Sequence, residues 1–120
     1  MKESQLHKAC ADYLHLVENR HDDFLWYTVA NEGPGANKVR AAKFKAVGVR
    51  PGVADIMILH SGKAIAIELK TAKGVISEKQ KVFAKSFTQA GGEYFICRSL
   101  NQLETILNGR GLNLPKTEAA

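Results

Sequence analysis

The chain has 120 residues, 45% of them apolar, and a formal net charge of +5, which suits one domain built on a single core. No apolar run is long enough to span a bilayer, and the start Met1-Lys2-Glu3-Ser4 lacks a signal-peptide pattern, so no membrane is expected and the cytoplasm is the expected location. Four histidines, two cysteines and no C-x-x-C argue against structural zinc and against a disulfide framework; Cys10 and Cys97 read as small core residues in a reducing compartment.

Residues 3–18 place Leu6, Cys10, Tyr13, Leu14 and Val17 at helical spacing. Glu3 extends that stripe and so faces inward, although an acid in a first turn is also what the helix dipole favours. A strand over Phe24–Ala30 follows. Asn31-Glu32-Gly33-Pro34-Gly35 then reads either as a flexible loop that closes over a substrate or as a plain connection. A glycine-rich basic segment with Lys38, Arg40, Lys43, Lys45 and Arg50 leads into two short apolar runs, Val53–Leu59 and Ala64–Lys70. The spacing next predicts a helix over Ser77–Ala90 stopped by Gly91-Gly92, a strand over Glu93–Cys97 and a helix over Leu100–Leu107. The domain is expected to span residues 1–108, with a frayed tail from residue 109. The order αβββαβα is that of a layered α/β unit with helices on both faces of a sheet.

The two apolar runs carry the most information. If Ser61-Gly62 is a two-residue turn, His60 faces Lys63, and counting back along both strands brings Asp55 opposite Glu68. Directly opposed residues have Cβ atoms only ~4.5–5.5 Å apart. Lys70 lies two residues beyond Glu68 and therefore on the same face. Two carboxylates about 5 Å apart repel by roughly 3 kcal/mol at an effective dielectric of about 20. A sheet built for stability alone would not oppose them. A hard divalent cation, Mg²⁺ or Mn²⁺, removes the repulsion, can polarise a phosphodiester and activate a water, and a nearby lysine can serve that water. A solvated strand face is the bland alternative for a Glu-x-Lys. Ile65, Ile67 and Leu69 on one side, with Ala64 and Ala66 on the other, speak against it, because they describe a strand covered on both faces.

Gly52-Val53-Ala54-Asp55 followed by Ile67-Glu68-Leu69-Lys70 resembles the PD-(D/E)xK nuclease core. The run Lys73-Gly74-Val75-Ile76-Ser77-x-x-Gln80 narrows the resemblance to the VRR-NUC family, and Asn31-Glu32-Gly33, the stretch from Lys45 to Gly48, Pro51-Gly52 and Ala90-Gly91-Gly92 are also similar. It covers nearly the whole chain, from Glu3 to about Leu107. Ala54 departs from it, standing where the family usually has proline. The resemblance implies a restriction-endonuclease-like αβββαβ core, a central mixed sheet flanked by helices, and a metal-dependent DNA endonuclease. Asp55, Glu68 and the backbone carbonyl of Leu69 would bind Mg²⁺ or Mn²⁺, with Glu3 completing the site through a water. Lys70 would serve the attacking water, and Gln80 would position Lys70 or the phosphate. Stand-alone members, largely from phages and bacteria, act as homodimers on branched DNA such as four-way junctions.

Gln80 has a rival use. Ser77-Glu78-Lys79-Gln80 is a capping box, in which the glutamine amide returns to the backbone of the cap residue. Gln80 also heads the stripe Gln80, Phe83, Ala84, Phe87, and the two uses look incompatible. A second Ser-x-x-Gln, Ser99 to Gln102, is expected to be a cap only. Lys38, Lys43, Lys45, Arg50 and Lys73 surround the acidic site and suit phosphate contacts, which give affinity without base identity. Nothing resembles a helix arranged to read base edges, so any selectivity is expected to be for shape. A nuclease of the same chemistry without junction preference, and a non-catalytic nucleic-acid-binding module, are the competing readings. For a dimer, the edge of the Phe24–Ala30 strand with Trp26 and the first helix are the candidate surfaces.

Overall fold

A computed structural model describes residues 2–30, 38–112 and 114. The elements are α1 (Glu3–Arg20), β1 (Phe24–Thr28), α2 (Lys38–Ala46), β2 (Ile56–His60), β3 (Lys63–Leu69), α3 (Glu78–Gln89), β4 (Glu93–Cys97) and α4 (Leu100–Asn108). The Asn31–Gly35 segment and the side chains of Lys38 and Arg40 lie outside the described residues.

The strands form one mixed sheet in the order β1-β2-β3-β4, antiparallel except for the parallel pair β3–β4. The hairpin arithmetic holds: His60 pairs with Lys63 and Ile56 with Ile67, so the register continues to Asp55 and Glu68. Ser61 (φ 49°) and Gly62 (φ 81°) make the turn with positive φ at both central positions, the geometry that matches strand twist. Asp23 fastens the turn from outside, its carbonyl taking the Ser61 N–H and its carboxylate the Ser61 hydroxyl.

One face of the sheet carries α1 and α4. The stripe read from the sequence, Leu6, Cys10, Tyr13, Leu14 and Val17, is the buried face of α1, and it meets Ile56, Ile58, Ile65, Ile67, Leu69 and Cys97 from the sheet and Leu103 and Leu107 from α4. The other face carries α3, where Phe83 stacks on Phe87 and meets Tyr94 of β4 edge-on with ring centroids 6.2 Å apart. Small Ala64 and Ala66 leave room for those rings. Both cysteines are buried and free, and no helix among the described residues is long and apolar enough to cross a membrane.

Four details differ from the sequence reading. A short helix, α2, lies in the basic segment read as irregular. Its alanines, lysines and arginine are good helix formers, but they make no apolar stripe for periodicity to detect. The β1 and β2 ladders are shorter than expected, ending at Thr28 and starting at Ile56. Trp26 faces α1 rather than a free surface, its indole packed edge-on against His15 at 4.9 Å. Finally, the chain turns back after α4: the Leu112 N–H donates to the Leu107 carbonyl, Leu112 is buried, and Leu114 packs against the core, so residues 109–112 belong to the packed domain.

Gly52 joins the approach to Asp55 to the start of α3. It has φ +75°, and a Cβ there would fall 2.3 Å from the Lys79 carbonyl oxygen and 2.8 Å from the Gln80 nitrogen. Gly48 also has positive φ (+95°) but open space around it. Gly48→Ala should therefore cost only the backbone strain, about 1–2 kcal/mol. Gly52→Ala should cost at least about 2 kcal/mol more, because backbone must move to admit the methyl group. Urea unfolding of the two variants measures the difference, and equal losses would mean that the close approach contributes nothing.

Candidate active site

Glu68 is the only buried acidic or basic residue among those described, with 2% of its surface exposed. It is there because β3 is the inner strand that is buried along Ile65–Leu69. Its Oε2 accepts a hydrogen bond from Gln80 Nε2 at 2.9 Å, and Lys70 Nζ stands 3.6 Å from the same oxygen. Its Oε1 is buried with no hydrogen-bond partner. Buried polar atoms are nearly always satisfied, so an orphan oxygen calls for an explanation.

Asp55 lies one residue outside the β2 ladder. Its carbonyl accepts the Val29 N–H and its Oδ2 accepts the Leu69 N–H, both at 2.8 Å, so backbone from β1 and β3 fixes it on either side. The Asp55 carboxylate is close enough to receive a hydrogen bond from protonated Glu68. Burial first, and then the Asp55 charge, push the Glu68 carboxyl from 4.5 up to about 8, against an opposing pull from Lys70; Glu3 adds the smallest push. The free Oε1 thus has two remedies, a proton or a cation. The donor set fits a hard divalent cation, for it consists of carboxylate oxygens with no soft ligand.

Gln80 resolves its apparent conflict by using both ends of one amide. Its Oε1 accepts the Ser77 N–H at 2.8 Å in the capping box, while its Nε2 donates to Glu68. An amide has acceptor and donors on different atoms, so the cap and the site do not compete. The cap in fact aims the donor.

Glu3 does not face inward as its place in the stripe suggested: it is exposed in the first turn of α1, because the buried stripe begins only at Leu6. It is close enough for its charge to be felt at Glu68, but no group of three His, Cys, Asp or Glu side chains converges among the described residues. Lys70 is brought in by its backbone, whose N–H donates to the Cys97 carbonyl at 3.0 Å, and its side chain is 16% exposed.

A cleft of about 950 Å³ opens onto Asp55 and Gln80, walled by Val29, the segment from Phe44 to Val53, and the first turn of α3. Lys45 and Arg50 line it; Lys43 and Lys73 are exposed outside it. Lys79, another of the basic residues that follow the hairpin in sequence, also lines the cleft. A second hollow, about 720 Å³, lies by the hairpin turn and α4. Its cations are already engaged, Arg110 by Glu93 and Lys63 by the Gly91 carbonyl at 2.6 Å.

Two nearby residues escaped the sequence reading. Tyr94 pairs with Ala66 across β3–β4 and so shares the Glu68 face; its hydroxyl is buried without a partner and pushed up to about 12 by burial and by the charges of Glu68 and Asp55. Arg98 clips the turn after Lys70, donating to the Thr71 and Gly74 carbonyls. No local pattern marks either one.

Two solved structures share this arrangement of elements. One, described as a VRR_NUC domain, has a TM-score of 0.61 and 17% identity, with 88% of this chain and 94% of that chain covered. The fold here is that of a VRR_NUC domain. Another, a VRR_NUC domain protein, has a TM-score of 0.61 and 16% identity, covering 90% of this chain and 86% of that one. No protein-family model and no curated protein matches the sequence. The VRR_NUC likeness therefore rests on architecture, including the mixed four-stranded sheet with helices on both faces.

The Glu68 shift has a sign that can be measured without a substrate. The folded-state value of about 8 lies above the ordinary 4.5, so the folded protein holds this proton more tightly than the unfolded chain does. Stability from this group is full below about pH 4.5 and is lost as pH rises toward 8. Glu68→Gln has no proton to lose and can still accept from Gln80. In chelator, the variant should match the wild type near pH 4.5 and exceed it near pH 9 by on the order of a few kcal/mol. Urea unfolding at the two pH values decides it; a pH-independent difference would mean that Glu68 ionises normally in the fold.

Proposed function

We propose that the protein is a metal-dependent endonuclease that hydrolyses phosphodiester bonds in DNA, selective for branched DNA such as a four-way junction. One observation carries the reading: a buried carboxylate with an unsatisfied oxygen, set beside a second carboxylate and a lysine at the edge of a basic cleft, on a VRR_NUC domain fold. A hard cation would relieve an arrangement that otherwise costs the protein stability.

Asp55, Glu68 and the Leu69 carbonyl would hold Mg²⁺ or Mn²⁺, with Glu3 reaching it through a water. The bound ion would supply Lewis acidity and make a water that it holds more acidic. Gln80 holds Glu68 by Oε2 and so leaves Oε1 free to face the ion. Lys70 Nζ, within 4 Å of Glu68, orients the attacking water and takes up negative charge that develops on the phosphoryl oxygens. Lys45, Arg50 and Lys79 in the cleft, with Lys43 and Lys73 outside it, engage backbone phosphates. Such contacts track the path of the strands rather than base identity, which suits selection by shape.

A two-fold homodimer would bring two such sites to a junction of matching symmetry. The outer edge of β1 and the open half of the sheet, where Leu25, Tyr27 and Leu59 are each about half exposed, would offer it a surface.

The test is cleavage of a labelled four-way junction and the matching linear duplex with Mg²⁺ or Mn²⁺. Paired cuts in the junction are expected, falling roughly 10²-fold or more in Glu68→Ala and Lys70→Ala. Equal cutting of the duplex would keep the chemistry and remove the branch selectivity. Salt-sensitive binding without cutting in either metal would make the protein a binding module.

A further inference from the structure

We infer that Arg98 is a positioning residue for Lys70, acting through the turn formed by residues 71–74. The inference extends the proposed nuclease reading to a residue that touches neither the carboxylates nor the cleft. Arg98 directly follows β4, whose last residue, Cys97, accepts the Lys70 N–H at 3.0 Å. One step further on, Arg98 Nη1 donates to the Thr71 carbonyl at 2.7 Å and to the Gly74 carbonyl at 2.6 Å. The turn is closed by its own bond, Gly74 N–H to the Thr71 carbonyl at 3.1 Å. A planar guanidinium nitrogen with two fixed N–H groups suits such a two-carbonyl clip.

The clipped turn in turn bears on the lysine. A Cβ at Gly74 would stand 3.3 Å from Lys70 Cδ and 3.5 Å from Lys70 Cβ, so the turn backbone lies along the aliphatic stem. A lysine stem otherwise samples many rotamers and brings its ammonium to no fixed place. Here the turn forms one wall, and Glu68 at 3.6 Å attracts the ammonium. Arg98 is itself braced, its N–H donating to Gln102 Oε1 at 2.6 Å while the Gln102 N–H donates to Ser99 Oγ at 3.2 Å. The cap of α4 thereby holds the arginine that holds the turn. The second Ser-x-x-Gln has a task beyond capping.

Arg98→Met keeps the apolar stem and removes both donors. Two readouts test it. The first is the rate at which the Lys70 amine is acylated by a small reagent in metal-free protein, mapped by mass spectrometry, which needs no catalysis. Acylation of Lys70 should rise several-fold while exposed Lys43 stays unchanged, and Arg98→Lys, which can still donate to a carbonyl, should fall between. The second is DNA cleavage, where kcat should drop roughly 10–100-fold with KM within about threefold, as misplacing a reacting group does. Gly74→Ala, which crowds the stem from the turn side, should repeat both effects and serves if Arg98→Met does not fold. Unchanged Lys70 acylation in the variants overturns the inference. A raised KM with unchanged kcat also overturns it, since Arg98 would then be a phosphate contact. If the wild type does not cut DNA, the nuclease reading fails, and the acylation rates still decide the role of Arg98.

Discussion

The structure is organised around one buried charge site, the Glu68 carboxylate at the end of β3. Its strand is flanked by β2 and β4 and covered by α1 on one face and α3 on the other, so the carboxylate cannot be hydrated as it would be on a surface. Burial of a carboxylate is unfavourable unless donors or cations replace the lost water. One oxygen has Gln80 and the approach of Lys70; the other has nothing. The elements around it can be understood by what they do for those two oxygens. The two-residue turn sets the register that brings up Asp55, the cap of α3 aims Gln80, and parallel pairing with β4 fixes the backbone of Lys70.

This arrangement bears most directly on α3. None of its residues is fully buried, so its attachment to the sheet depends on a few contacts. Those are the aromatic group Phe83, Phe87 and Tyr94, the Gln80–Glu68 bond, and the approach of Gly52 to the Lys79 carbonyl. The last two lie at the same end of the helix, where the cleft opens. The wall of the cleft and the support of Glu68 are therefore one structural unit. A shift of the Pro51–Val53 segment would be transmitted to Gln80, and from there to the carboxylate.

How far the sequence reveals this depends on the range of each interaction. The opposition of Asp55 and Glu68 is legible because a two-residue turn and a period of two leave no freedom in the register. The buried face of α1 is legible because five apolar residues repeat at helical spacing. α2 is not, since nine residues without an apolar stripe carry only propensity. Gln80 is legible as two separate motifs, and only the fold reveals that one amide satisfies both. Arg98 and Tyr94 are invisible in sequence for a different reason. Their partners lie more than twenty residues away across the parallel pairing, and that register is set by a helical crossover whose length fixes no count. The outward appearance of Trp26 misled because strand alternation gives two faces without saying which is covered; His15 decides it.

The same constraint bears on why such a site would persist. An apolar residue at position 68 would carry no desolvation penalty on the face it shares with Ala66 and Tyr94, and Asp55 would lose its like-charged neighbour. Exchanges of buried ionic groups for well-packed apolar ones are often neutral or stabilising, and this fold does not make one. Instead it holds a carboxylate that keeps its proton up to about pH 8, fixes one oxygen with a designated donor and leaves the other bare. A cation binding there would have to displace that proton, and would then satisfy Oε1 and offset the charge of Asp55 together. A carboxylate in this setting is thus matched to a partner that can take the place of its proton, which an apolar side chain at position 68 could not be.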